Sequence, residues 1–160
     1  MIRYLMMCTL VLALVATGST AVNADGITSR KVMRVFKGKL VISKDELSDG
    51  KNDKETISKI KSETLSELVG TKNDDVTAWK FHYTAFLKRM GNTQLRMEFY
   101  KDGKQYSADK RLDGIDPKAP VLAGWISITE DEGLNRNHSY LIKLTNGKNL
   151  VVAQAKLMMK

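Results

Sequence analysis

Residues 79–88 read Trp79-Lys80-Phe81-His82-Tyr83-Thr84-Ala85-Phe86-Leu87-Lys88. Trp79, Phe81, Tyr83, Ala85 and Leu87 share one phase of a period-two pattern; Lys80, His82, Thr84, Phe86 and Lys88 share the other. Successive side chains of a strand point to opposite faces, so this run predicts a strand with one face in a core and one in water.

The pattern continues downstream. Leu95, Met97 and Phe99 alternate with Arg96, Glu98 and Tyr100, and Asp102-Gly103 then separates them from a return run that carries Tyr106 and ends near Leu112. Asp-Gly between alternating runs predicts a tight hairpin, because both central residues of that turn need positive φ. The stretch Asp113 to Pro120 holds both prolines of the chain and reads as a loop. Trp125, Ile126 and Ile128 begin another strand, closed by Glu130-Asp131-Glu132-Gly133. Tyr140, Ile142 and Leu144 alternate with Leu141 and Lys143, and Asn146-Gly147 marks a second hairpin turn into Leu150–Met159.

Upstream the signals differ. Lys31–Phe36 and Lys39–Ile42 are apolar-rich runs around Gly38, read as one bulged strand or two short ones. After a polar stretch, Asn52 or Asp53 can cap a helix with Glu55 completing a capping box. Ile57, Ile60, Leu65, Leu68 and Val69 form its apolar stripe, Glu55 and Lys59 an i,i+4 pair, and Gly70 a C-cap. The helix spans about 53–69 on this reading.

About six to eight short strands with turns roughly every 8–12 residues predict a sandwich or barrel. Leu134 precedes Tyr140, which opens an alternating strand followed by a final hairpin. This resembles the tyrosine corner of immunoglobulin-like sandwiches, although the cysteine pair of antibody domains is missing. The resemblance covers residues 125–158. It implies a mainly β fold: an Ig-like (Greek-key) antiparallel β-sandwich with one amphipathic helix near the N-terminus of the mature chain.

The start of the chain has a charged Arg3, an apolar run from Leu5 to Ala16 and small residues at Val22 and Ala24 before Asp25. These are the three regions of a secretory signal peptide, residues 1–24, and the apolar run is too short for an ordinary membrane span. Cleavage leaves 136 residues, 25–160, as a single domain. It also removes Cys8, the only cysteine, so the mature domain relies on burial and not on disulfides. The expected location is the bacterial envelope, periplasm or secreted, with no transmembrane segment after cleavage. The net charge of +8 includes Arg3 and favours anionic partners such as glycan or lipid. Export argues against nucleic acid.

No G-x-S-x-G elbow is present, and the mature chain has no cysteine nucleophile. The two histidines, His82 and His138, lack local partners, so no catalytic residue, metal site or cofactor is expected. Acidic loops such as Asp113–Asp116 and Glu130–Glu132 do not fit the EF-hand pattern and read as solvated turns. Lys80, His82, Arg96, Lys101 and Lys104, interleaved with Tyr100 and Tyr106, are the candidate ligand-binding residues on one sheet face. Trp79 and Trp125 read as core anchors. The expected function is that of a non-catalytic envelope protein that binds another macromolecule, an envelope protein first of all, or supports an assembly. The alternatives are a binding module for anionic glycan or lipid head groups and, third, a small hydrolase.

Overall fold

The computed structural model describes residues 27–160 apart from Asp74; the signal-peptide reading falls outside the described residues. The chain is mainly β and forms two sheets. In order it runs α1 (Arg30–Phe36), β1 (Leu40–Ser43), α2 (Asp53–Glu63), β2 (Glu67–Leu68), β3 (Thr71–Asn73), β4 (Val76–Phe86), β5 (Leu95–Lys101), β6 (Gln105–Leu112), β7 (Val121–Thr129), a 3-10 turn (Glu130–Glu132), β8 (His138–Asn146) and β9 (Val151–Met159). One sheet is centred on β4, with β7 along one side and β1 and β3 along the other. The second sheet has the order β2-β9-β8-β5-β6, and only the β2–β9 pairing is parallel.

The inner faces of both sheets share one core. Trp79, Phe81, Tyr83 and Ala85 from β4 meet Met97 and Phe99 from β5 and Tyr140, Ile142 and Leu144 from β8. The period-two residues of 79–87 are all buried there, as alternation requires. Trp79 adds a polar tie, its indole N–H donating to the Lys160 carbonyl at 3.0 Å. Tyr140 is fully buried, and its hydroxyl accepts the Asn135 backbone N–H at 2.8 Å. The Asp102-Gly103 turn takes positive φ at both residues, 50° and 75°.

A second, smaller core lies outside the β4 sheet. Val32 and Phe36 of α1, Ile60 of α2 and Ile27 cover Val41, Phe86 and Val121. The Phe36 and Phe86 rings stack at 5.1 Å. Phe86, which sequence phase assigned to the polar face, is therefore fully buried.

Five sequence expectations are corrected. Residues 31–36 form a helix instead of a strand: Ser29 caps it, accepting the Val32 N–H at 3.3 Å, and Val32 and Phe36 share a buried face at i,i+4 spacing. Helix α2 ends at Glu63, not near 69, and Gly70 is not its cap. The Thr64 N–H closes the last turn onto Ile60, and Leu65 N–H then bonds Ile42 O at 2.8 Å, drawing the chain across to β1. Leu65 and Leu68 pack against the main core from this extended segment. At the helix start, Asn52 accepts the Glu55 N–H at 3.0 Å, whereas Glu55 reaches Lys51 N–H at 3.0 Å, one residue before the cap. The last hairpin is also wider than a two-residue Asn-Gly turn: Asn149 carries the positive φ, 58°, and Asn146 Oδ1 accepts from Lys148 and Leu150. Finally, Trp125 is no core anchor, being 41% exposed on β7.

Candidate partner-binding edge

The expected cationic face requires β4 and β5 to be neighbours in one sheet. They lie in different sheets, so their outer faces look away from each other. Lys80 and His82 project from the β4 sheet, where His82 sits across from Trp125 and Lys80 from Ser127. Arg96 projects from the opposite side of the molecule and is held by Asp109 at 3.2 Å. Lys101 follows a register shift after Phe99 and donates to Asn135 Oδ1 at 3.0 Å. Lys104 is exposed in the hairpin turn. The five residues are thus not gathered on one face. The pattern within each strand is right, but the assignment of strands to sheets divides them.

Tyr100 and Tyr106 lie with Arg96 on the five-stranded sheet, and their surroundings are self-satisfied. Tyr100 donates to Glu98 at 2.8 Å, Thr145 donates to the other Glu98 oxygen at 2.9 Å, and Lys143 Nζ stands 4.0 Å over the Tyr100 ring. Tyr106 donates to Asp109, and that bond, helped by burial and the carboxylate charge, pushes its phenol up to about 12. The charged groups of this face largely neutralise one another.

A different feature stands out on the other side. Strand β7 pairs with β4 along its whole length, and among the described residues no strand pairs with its second edge. Its nine residues, Val-Leu-Ala-Gly-Trp-Ile-Ser-Ile-Thr, contain no charge and no proline. Open edges are ordinarily guarded by lysine, proline or a bulge, since their unpaired N–H and C=O groups recruit other strands. The facing edge strand, β6, is guarded in this way by Asp109, Lys110 and Arg111. Between β6 and β7 runs a groove of about 280 Å³, with Trp125, Ile126 and Leu112 as its apolar lining and Lys110, Arg111 and Asp113 at its rim.

The rim is fixed by ion pairs. Arg111 pairs with Asp113 at 3.4 Å, and Lys110 pairs with Glu132. Burial pushes the Glu132 carboxyl up, but the Lys110 ammonium and the Thr129 N–H, which donates at 2.9 Å, outweigh it and hold the carboxyl below its ordinary range. Glu132 thereby fastens the turn after β7 to the end of the strand. Gly124 is needed for packing: a Cβ there would lie 2.8 Å from the Tyr83 hydroxyl, so the bare backbone makes room for that side chain.

Among the described residues no three His, Cys, Asp or Glu side chains converge on a metal position, and no helix is long and apolar enough to cross a membrane. His138 Nδ1 lies 3.2 Å from Asp102 at the exposed hairpin end, with no nucleophile among its hydrogen-bond partners. Sequence reasoning missed the β7 edge. The available signal was the uncharged run from Ala119 to Thr129, which alternation analysis treated as an ordinary strand. No known family model matches the chain, and no match to a curated protein or a solved structure was found.

Proposed function

We propose that this chain is an exported, non-catalytic binding domain with Ig-like Greek-key topology, and that it takes an extended segment of another envelope polypeptide along β7. The topology reading is supported by the order in which strands change sheet. Strands β4 and β7 are neighbours in one sheet; β5 and β6 form a hairpin in the other, β8 returns beside β5, and β9 folds back on β8. An interleaving of a B–E sheet against a C–F–G sheet would give this order, and the Tyr140–Asn135 bond supports reading it with a tyrosine corner.

The observation that carries the binding reading is the open, uncharged β7 edge beside exposed Trp125. Unpaired backbone groups repeating along a strand are complementary to another extended polypeptide, which supplies the same groups at the same spacing. A glycan or lipid offers no such repeat. A second copy is disfavoured by the net positive charge that both copies would carry.

The test is selection of nine-residue peptides from a displayed random library on the immobilised domain. Selected peptides should slow amide exchange along β7, and N-methylation of alternate peptide residues should abolish binding. Trp125→Lys, which guards the edge, should do the same without lowering thermal stability. Peptides that bind the Trp125→Lys variant equally well, or that leave β7 exchange unchanged, would overturn the proposal. So would concentration-dependent self-association that Trp125→Lys removes, because it would make a second copy the occupant.

A further inference from the structure

On the side of the molecule away from β7, the edges of β1 and β9 approach each other and then part. Gln154 N–H bonds Gly38 O at 3.1 Å, the point of closest parallel pairing between Lys39 and Gln154. Further along, Leu65 N–H reaches Ile42 and Met158 N–H reaches Ser66 O at 3.0 Å, so the segment after α2 fills the gap there. Between these two closures a groove of about 350 Å³ remains, floored by Leu40, Leu65 and Ala155.

Three lysines line it, Lys39, Lys61 and Lys156, and no carboxylate does. None of the three has an ion-pair partner among the described residues. They also come from three separate elements: the entry to β1, the last turn of α2 and the middle of β9. One backbone donor joins them. The N–H groups of Gln154, Met158 and Lys160 all bond outward across this edge, at 3.1, 3.0 and 2.8 Å. Lys156 shares their phase, so its N–H also faces the groove, and no backbone group among the described residues takes it there. Lys88 extends the basic surface, its side chain lying across Gly38 next to Lys37 and Lys39. Arg96, Lys110, Arg111, Arg136 and Lys160, by contrast, are each paired with a carboxylate.

We infer that the β1–β9 groove binds an anionic phospholipid of a membrane surface, its phosphate among Lys39, Lys61 and Lys156 and the start of an acyl chain on Leu65 and Ala155. Lysine is a point-charge phosphate binder, and its stem lies along apolar surface with the ammonium at the water boundary. Lys39 Nζ stands 5.5 Å from the Phe36 ring centroid, and an apolar floor beneath cations with no carboxylate partner suits a ligand that is itself anionic at one end and apolar at the other. Simple polyanions use only the rim. The site lies on the opposite edge from Trp125 and stands independently of the peptide-binding proposal.

The experiment is flotation of the domain with vesicles of phosphatidylglycerol and phosphatidylcholine, against vesicles of phosphatidylcholine alone. Binding should need the anionic lipid and weaken at high salt. The triple variant Lys39→Gln/Lys61→Gln/Lys156→Gln should lose on the order of a hundredfold in apparent affinity, as expected for three cations near an anionic surface. A second triple variant, Lys72→Gln/Lys104→Gln/Lys148→Gln, removes the same charge elsewhere and should stay close to the parent. Equal losses in the two variants would reduce the effect to net charge and overturn the site. Absence of flotation with the parent protein would overturn it as well. Release from the vesicles by inorganic phosphate at constant ionic strength would identify free phosphate as the ligand and overturn the lipid assignment.

Discussion

Replacing Tyr140 by Phe removes one oxygen from a side chain that is otherwise wholly enclosed. The ring contacts with the core survive, so the transfer and cavity terms that dominate large-to-small changes are small. What is lost is the bond from the Asn135 N–H, 2.8 Å long, which fixes the loop before β8 onto the strand's first core residue, together with the hydroxyl's interaction with the Ser107 side chain. A net protein hydrogen bond contributes about 1 kcal/mol, and more where its partner stays dry. The bond is part-buried, so the cost stays at about 1 kcal/mol. For a domain of this size that corresponds to a fall of about 3–6 °C in Tm. Urea unfolding followed by tryptophan fluorescence is the assay, since Trp79 is fully buried and reports the core. The midpoint should fall with the slope unchanged. Burial pushes the Tyr140 phenol above its ordinary value of 10.0, so the folded state favours the protonated form. The hydroxyl's contribution is therefore complete below about pH 10 and is lost as pH rises through the folded value, where the Phe variant gains on the parent. An unchanged or raised midpoint at pH 7 would refute the view that the hydroxyl, and not the ring alone, stabilises this corner.

Phe86→Ala, at a fully buried position stacked on Phe36, should cost about 3–5 kcal/mol. Amide exchange should speed first in α1, which has little other anchorage; equal effects in α1 and β8 would contradict a separate outer core. Glu132→Gln should lower stability at pH 7 by less than about 1 kcal/mol, because the side chain is 40% exposed and its pairing is screened. Its carboxyl is held below the ordinary 4.5, so the contribution is present above that pH and lost as pH falls through the folded value. Parent and variant denaturation curves should then converge once the pH has fallen below the folded value, and a gap that persists in acid would rule out the charge as its source.

Strand-level structure was legible in the chain because it depends on local periodicity. The phase of 79–87, the Asp102-Gly103 turn and the position of Tyr140 each follow from the spacing of side chains along one strand. Helix α1 was not legible: Lys31–Phe36 is short and carries the β-branched Val32 and Val35, and only the outer surface of β4 gives Val32 and Phe36 something to cover. The stripe Ile57–Val69 looked like one helix because Leu65 and Leu68 keep a helical interval while packing from an extended segment held by β1 and β9. The cationic residues show the same division. Alternation places Lys80 and Arg96 outward on their strands, but the assignment of β4 and β5 to different sheets sends them to opposite sides. The open β7 edge and the lysine groove between β1 and β9 exist only once strand order is set. Composition and period determine which residues face a core; long-range pairing decides which surfaces those strands share and which edges they leave open.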